Sequence, residues 1–367
     1  MPALPSYFDQ YLKDIRPTQN QRDECKTGHE TLRERLHNDE SLKDIVVDTF
    51  LQGSYRRATA VRPTGDTKSD VDVIAVTNLD KAKYTPRQAM NLFIPFLEKH
   101  YKGKWKAKGR AFGISLSYVE LDLVITAAPS EAQTESWRQL AGLNESDVIG
   151  ETRWEPADSW FAESLLDSSI TGRAAAWKLE PLDIPDREAN QWDKTHPLAQ
   201  IAATWAKSRG TNRHYVNVVK AVKWWKVDQQ SDIDYPKGYP LEHLLWVSCP
   251  DGITSIAEGV VLAFEGIASR YQAYADAGQV PFVPDHGVPE HNVLRRLSVE
   301  DFQEFHRRIR VAADQSRDAY DESNVCESAE KWRRLFGNKF PQCPENTKKG
   351  GYTPRKEASI VPGGRFA

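Results

Sequence analysis

The chain has 367 residues, 40% of them hydrophobic and 10% aromatic, which is enough for two packed lobes or one large bilobal unit. Its formal net charge of −3 argues against a protein that grips a long nucleic acid by its phosphates, because such proteins usually carry excess basic charge. No segment approaches the roughly 20 apolar residues of a membrane helix, and the N-terminus lacks a signal-peptide pattern, so we expect a cytoplasmic protein without a membrane partner.

The first regular pattern lies in residues 7–37, a charged segment in which apolar residues recur near helical spacing. Pro17 either interrupts this pattern or occupies a first helical turn. We therefore predict one or two helices at this end of the chain.

A strand-rich region follows, and it carries three aspartates in apolar runs. Asp70 and Asp72 stand at positions i and i+2 of one run, so their carboxylates point to the same face of a strand. Asp122 lies in a second run of the same kind. Carboxylates held together repel one another, and a divalent cation relieves that repulsion. Hard oxygen ligands favour Mg²⁺ or Mn²⁺, and two such ions can support a phosphoryl transfer.

An Asp-x-Asp pair by itself is most often a solvated strand end. The metal interpretation is favoured here by the third aspartate and by a small turn, Gly53-Ser54, that precedes the pair. Backbone N–H groups and a hydroxyl at such a turn can hold phosphate oxygens.

Between the two acidic strands, residues 86–101 have the apolar spacing of an amphipathic helix. Residues 102–110 form a basic loop, which is either a solvated hairpin turn or a rim that attracts triphosphate or nucleic acid. Glu120 shares strand parity with Asp122, and we expect it to form a salt bridge with a nearby Lys or Arg rather than to bind metal.

From residue 196 to 336 the pattern is mainly helical, and after residue 340 the composition turns to Pro, Gly and Lys, which predicts a mobile tail. The four cysteines have no Cys-x-x-Cys pair and no histidine at zinc spacing, so we expect inert or surface thiols. They are Cys25, Cys249, Cys326 and Cys343.

The order Gly-Ser, Asp-x-Asp and distant Asp resembles the DNA polymerase β-like nucleotidyltransferases. The form of residues 51–60 and the long gap before Asp70 resemble one branch, the bacterial cGAS/DncV-like nucleotidyltransferases, or CD-NTases. The resemblance covers roughly residues 40–340. It implies an α/β fold, with a mixed-sheet nucleotidyltransferase lobe, a helical C-terminal lobe and an active site in the cleft between them. The implied divisions are an N-terminal helical spine (1–40), a catalytic lobe (41–180), a helical lobe (181–340) and a mobile tail (341–367).

The resemblance also implies roles for these residues. Gly53 and Ser54 would hold the β- and γ-phosphates of the donor nucleotide. Asp70 and Asp72 would bind both metal ions, and Asp122 would bind the ion that lowers the pKa of the acceptor ribose hydroxyl.

Two further residues match nucleotide-binding positions of the family. Lys223 would neutralise triphosphate charge, and Tyr239 would stack on the donor base. Without the resemblance, Lys223 reads as a solvated helix residue and Tyr239 as an ordinary aromatic at a helix start. Gly238 stands where relatives often have serine, so a hydroxyl contact to phosphate is absent there.

The function implied is synthesis of a cyclic di- or trinucleotide second messenger from ATP and other NTPs, in CBASS-type anti-phage signalling through a separate effector. The residues themselves support only nucleotidyl transfer. Two alternatives stay open: a linear oligonucleotide synthetase or RNA- or tRNA-modifying transferase, and a non-catalytic nucleotide-binding module. The complete set of three aspartates argues against the last.

Some CD-NTases have a mobile C-terminus that partners resembling ubiquitin-transfer enzymes conjugate to targets. The resemblance makes Ala367 the candidate attachment residue. The alternative is a disordered end without function.

Overall fold

The strands lie before residue 196, together with several helices, and the described residues after 196 are mainly helical, as the sequence predicts. The computed structural model describes residues 3–128 and 181–344. Within them the strands are β1 Val46–Gln52, β2 Ser69–Thr77, β3 Trp105–Ala107, β4 Phe112–Ser115, β5 Val119–Ile125, β6 Leu182–Asp186 and β7 Gln191–Thr195.

The helices of the described residues form two groups, one before residue 128 and one after residue 181. Those of the first part are α1 Pro5–Ile15, α2 Gln19–Asn38, α3 Gly53–Arg56, α4 Pro86–Asn91 and α5 Ile94–Tyr101. Those of the second part are α6 Pro197–Gly210, α7 Tyr215–Trp224, α8 Gly238–Ser248, α9 Ile256–Asp276, α10 Val299–Asp321 and α11 Val325–Phe336. A π-helical segment, Trp225–Gln229, continues α7.

Five strands form a mixed sheet in the order β1-β2-β5-β4-β3. The central pair, β2 and β5, is parallel, and the other neighbours are antiparallel. Val71 and Val73 of β2 are fully buried and belong to a core that also contains apolar residues of α2, α4 and α5. The alternate residues Asp70 and Asp72 therefore point to the opposite face of the sheet.

The hairpin of β6 and β7 packs against the catalytic half of the chain, on α4 and the sheet, and Asp193 of β7 also pairs with Arg295. The Ala127 N–H donates to the Asp183 carbonyl at 2.9 Å, and the Arg187 N–H donates to the Gly109 carbonyl at 2.7 Å. Ile184 is buried beside Ile74 of β2 in a small apolar cluster. We therefore propose that the catalytic lobe extends to about residue 195 instead of ending at residue 180 as the sequence suggested.

The two N-terminal helices belong to different cores. Phe8 and Tyr11 of α1 pack against Phe336 of α11, with ring centroids 6.2 and 4.8 Å away. Leu32 of α2 lies instead in the core under the sheet. Pro17 lies between the two helices, so of the two alternatives for it the interruption is correct, and the pair contacts both cores.

The thiol prediction is wrong for two of the four cysteines. Cys326 at the start of α11 forms a disulfide with Cys343, whereas Cys25 and Cys249 are free and buried. A separation of 17 residues carries no pairing signal in sequence, because only the fold of 325–343 brings these side chains together. None of the helices among the described residues is long and apolar enough to cross a membrane.

Candidate active site

The three predicted aspartates meet at the central, parallel strand pair. The register places Asp72 of β2 directly opposite Asp122 of β5, and Asp70 lies two residues earlier on the same face. Carboxylate oxygens of the three residues lie within 4.8 Å of one another, and in the part of the chain that the structure describes they form the group suited to hold a metal ion. The donor set is all hard oxygen, which fits Mg²⁺ or Mn²⁺.

The electrostatics of the site favour a cation. Desolvation and the neighbouring carboxylates raise the pKa of Asp70 to about 7, and the same causes raise the pKa of Asp72 to about 6. Lys108 and Arg57 act in the opposite direction on Asp72 but do not offset the rise. A bound divalent ion would remove the repulsion between these groups.

Lys108 provides the positive charge closest to the third acid. Its ammonium donates to both carboxylate oxygens of Asp122, at 2.5 and 2.7 Å. The sequence placed Lys108 in a basic loop that was either a solvated turn or a phosphate-attracting rim, and neither interpretation identified this partner. Only the pairing of the strands β4 and β5 brings the loop over Asp122.

The Gly-Ser turn lies against the acidic cluster. Strand β1 ends at Gln52, opposite Asp72, and the single helical turn α3 begins at the next residue. Gly53 has φ +73°, and a Cβ built on it would lie 1.8 Å from an Asp72 carboxylate oxygen. Glycine is therefore required here both by conformation and by the close approach of a candidate metal ligand.

A buried ion pair ties this turn to the helical half of the molecule. Arg57, next to the turn, donates through Nε to Glu242 of α8 at 3.1 Å, and Lys223 of α7 donates to the other Glu242 oxygen at 3.0 Å. Burial alone would raise the pKa of Glu242, but the two cations lower it to about 2. Sequence reasoning missed Glu242, although an acid within the apolar run of α8 is a signal of a buried partner.

The ring of Tyr239 lies beside the same pair. The Arg57 guanidinium is 5.2 Å from the ring centroid, and the Tyr239 hydroxyl is 3.3 Å from Nδ1 of His243. Burial, followed by nearby Asp285, raises the pKa of Tyr239. Glu242 and Arg57 thus bring Lys223 and Tyr239 close to the Gly-Ser turn. The two tryptophans that follow Lys223, Trp224 and Trp225, are buried in the core.

A cavity of about 270 Å³ opens between the Gly-Ser turn, the loop before Asp70 and the end of α7. Its walls carry basic side chains together with small hydroxyls. They include Arg22, Arg62, Lys68, Lys223, Ser54 and Thr64.

Two remaining predictions have different outcomes. Glu120 forms a salt bridge with Lys68 at 3.5 Å and lies outside the acidic cluster, as expected. Ala367 lies outside the described residues.

Comparisons with known proteins found relatives over almost the whole chain. Residues 3–133 match the model of the Second Messenger Oligonucleotide or Dinucleotide Synthetase domain, SMODS. A cyclic AMP-AMP-GMP synthase of Enterobacter hormaechei is 47% identical over 99% of this chain and 100% of its own length. A probable cyclic AMP-AMP-GMP nucleotide synthase of Salmonella paratyphi B is 45% identical over the same shares.

Among solved structures, the Vibrio cholerae cyclic AMP-GMP synthase DncV, bound to the linear intermediate 5′ pppA(3′,5′)pG, is similar in fold. It matches with a TM-score of 0.62 and 13% identity, over 91% of this chain and 96% of that one.

Proposed function

The chain belongs to the CD-NTases, the bacterial cGAS/DncV-like nucleotidyltransferases that make cyclic oligonucleotide second messengers, and we propose that it joins ATP and GTP into cyclic AMP-AMP-GMP. Nucleotidyltransferases of this kind use divalent metal, and we propose two Mg²⁺ ions. The observation that carries the assignment of the site is the register of β2 and β5, which places three carboxylates on one spot beside the Gly-Ser turn.

In the proposed reaction Asp70, Asp72 and Asp122 would hold the metal ions, with Asp122 on the side of the acceptor hydroxyl. The bound ions would activate an acceptor hydroxyl and stabilise the departing pyrophosphate. Asp122 accepts the proton of the ribose hydroxyl as its oxygen attacks the α-phosphorus of the donor. The bond from the α-phosphorus to the bridging oxygen breaks, and pyrophosphate leaves with the electron pair.

The donor nucleotide is proposed to lie between the Gly-Ser turn and α8. Backbone N–H groups of the turn and the Ser54 hydroxyl face the β- and γ-phosphates, and Lys223 adds positive charge. Stacking of the base on Tyr239 contributes about 1–3 kcal/mol. Glu242 supports this placement, because one carboxylate holds both Arg57, next to the turn, and Lys223.

The acceptor is proposed to occupy the part of the cavity of about 270 Å³ that is lined by Asp70 and the loop before it, away from Ser54 and Lys223. Its basic walls suit the triphosphate of an acceptor nucleotide or of a linear intermediate. Ring closure requires that the intermediate leave, turn and present its free hydroxyl to the same three aspartates.

The biological role we propose is CBASS-type anti-phage signalling, in which the cyclic product activates a separate effector. Conjugation of the C-terminus at Ala367 by a partner resembling a ubiquitin-transfer enzyme also stays a proposal. Intact mass of the protein co-expressed with its neighbouring genes tests it, and absence of any covalent adduct would count against it.

The test of the activity uses purified protein, Mg²⁺ and one radiolabelled NTP at a time in a mixture of all four. Products are digested with phosphatase and then with linkage-specific nucleases. We expect label from ATP and GTP, in a 2:1 ratio, in a product that resists phosphatase because it has no free phosphate end.

The matched variants are Asp70→Ala and Asp72→Ala, which should fold and make no product. A phosphatase-sensitive product would favour the linear synthetase. Turnover that survives either substitution would contradict the proposed metal site.

A further inference from the structure

Lys108 lies directly after β3, in the short loop that leads into β4. Its side chain crosses β4 to reach Asp122 on β5, where the ammonium contacts both oxygens of the carboxylate. The Lys108 side chain is 43% exposed and that of Asp122 is 19% exposed, so the pair sits at the wall of the cleft rather than in the core.

The residue over which Lys108 passes is a glycine. Gly113 of β4 pairs with Asp122, and a Cβ built on it would lie 2.7 Å from Cε of Lys108. The backbone of Gly113 has no left-handed conformation that would itself require glycine. The absent side chain therefore leaves the path by which the lysine reaches the acid.

The loop that carries Lys108 is held on both sides. The Lys108 N–H donates to the Ala111 carbonyl at 2.8 Å, and the Gly109 carbonyl accepts from the Arg187 N–H at 2.7 Å. The Arg110 side chain is paired with Asp186 and Asp193 at 3.0 and 2.6 Å. The backbone of this loop is fixed by these contacts, which leaves the lysine side chain as the part free to move.

We propose that Lys108 is the resident counter-ion of the metal site, which occupies Asp122 until metal and nucleotide arrive and then exchanges its place with the metal ion. The inference rests on the proposed function, because it assumes that Asp122 is a metal ligand. Lys108 contacts both oxygens of Asp122, so its ammonium partly neutralises the carboxylate and repels a second cation at the same place. A metal ion therefore binds Asp122 in competition with Lys108.

The exchange couples metal binding to nucleotide binding. A released Lys108 faces a cleft that, with substrate present, contains a triphosphate, and an ammonium contacts phosphate as readily as carboxylate. Nucleotide thus removes the competitor from Asp122 at the moment when metal is needed. Metal alone must compete with the lysine, so it binds more weakly than it would to the bare carboxylates.

The experiment measures Mn²⁺ binding to the full chain without turnover, by the loss of the free Mn²⁺ signal in electron paramagnetic resonance. Lys108→Gln, which removes the charge and keeps a polar side chain one atom shorter, is compared with the same substitution at Lys106, an exposed lysine two residues earlier. Without nucleotide we expect Lys108→Gln to bind Mn²⁺ about fivefold more tightly than wild type, and Lys106→Gln to match wild type. A non-hydrolysable ATP should tighten Mn²⁺ binding to wild type more than to Lys108→Gln.

A second variant distinguishes the direct contact of Lys108 with Asp122 from the longer-range effect of the lysine charge on the metal site. Gly113→Ala keeps the lysine but would place a Cβ 2.7 Å from the present position of Lys108 Cε, so the flexible side chain must shift. The variant should therefore tighten Mn²⁺ binding without nucleotide, by no more than Lys108→Gln does. Equal dissociation constants for wild type and Lys108→Gln overturn the exchange, as does weaker Mn²⁺ binding by Gly113→Ala than by wild type. If wild type fails to bind Mn²⁺ or binds it no better than Asp72→Asn, the metal site itself is refuted, which is a different result from failure of the lysine exchange alone.

Discussion

The close approach of Gly53 to Asp72 predicts a loss of activity in Gly53→Ala, and its magnitude can be worked out from the structure. In Gly53→Ala, the new Cβ would lie 1.8 Å from an Asp72 carboxylate oxygen, against an ordinary contact of at least 3.4 Å. The oxygen must move by about 1.6 Å, and a misplacement of about 1 Å near reacting groups can lower a rate about 100-fold. We expect at least that loss in product formation.

The same substitution places alanine at φ +73°, and the left-handed conformation costs about 1–2 kcal/mol in the free energy of unfolding. Gly103→Ala is a matched control, because Gly103 has φ +72° and its built Cβ has no heavy atom within 4 Å. Both variants should lose several degrees of melting temperature in scanning fluorimetry, but only Gly53→Ala should lose activity.

The assay is chromatographic quantification of the cyclic product from ATP, GTP and Mg²⁺. Activity of Gly53→Ala within about tenfold of wild type would refute the reasoning that the glycine protects a metal ligand. An equal loss of activity in Gly103→Ala would also refute it, since the loss would then come from backbone strain alone.

Two further predictions concern the charges of the cleft. The pKa of Asp72 is raised to about 6 in metal-free protein, so the folded state favours the protonated carboxyl. The stability associated with this group is therefore fully present below about pH 4, the pKa of an unfolded Asp, and is lost as the pH rises through 6. In EDTA, Asp72→Asn should therefore have a higher melting temperature than wild type above about pH 7 and the same melting temperature near pH 4. A difference in melting temperature that does not change with pH would contradict this. Glu242→Gln leaves Arg57 and Lys223 buried without their carboxylate, so urea unfolding should show a loss of about 3–5 kcal/mol. Glu304→Gln, which removes the more exposed ion pairs with Arg307 and Arg308, should change the same free energy by less than about 1 kcal/mol. Equal losses in the two variants would disprove the importance of burial.

Local patterns were sufficient to identify the elements that carry the site. Apolar runs rich in Val, Ile and Leu predicted β2 and β5, and the strand period of two placed Asp70 and Asp72 on one face before any partner strand was known. The Gly-Ser turn and the helix that carries Lys223 were found in the same way, because each is defined by neighbours in sequence. Residues 86–101 were predicted as a single helix, but the structure divides them into α4 and α5 around Leu92 and Phe93.

Pairings between distant segments could not be predicted in this way. The contact of Lys108 with Asp122 depends on strand register, and the contact of Glu242 with Arg57 joins residues 185 positions apart. A side chain's type tells whether it can carry charge, but the partner that stabilises that charge is set by the packing of other elements around it. The sequence by itself thus determined the groups available to this protein, three carboxylates and a Gly-Ser turn. The tertiary structure decided which cations meet those carboxylates, because ionic contacts act over a few ångströms in space and not over positions along the chain.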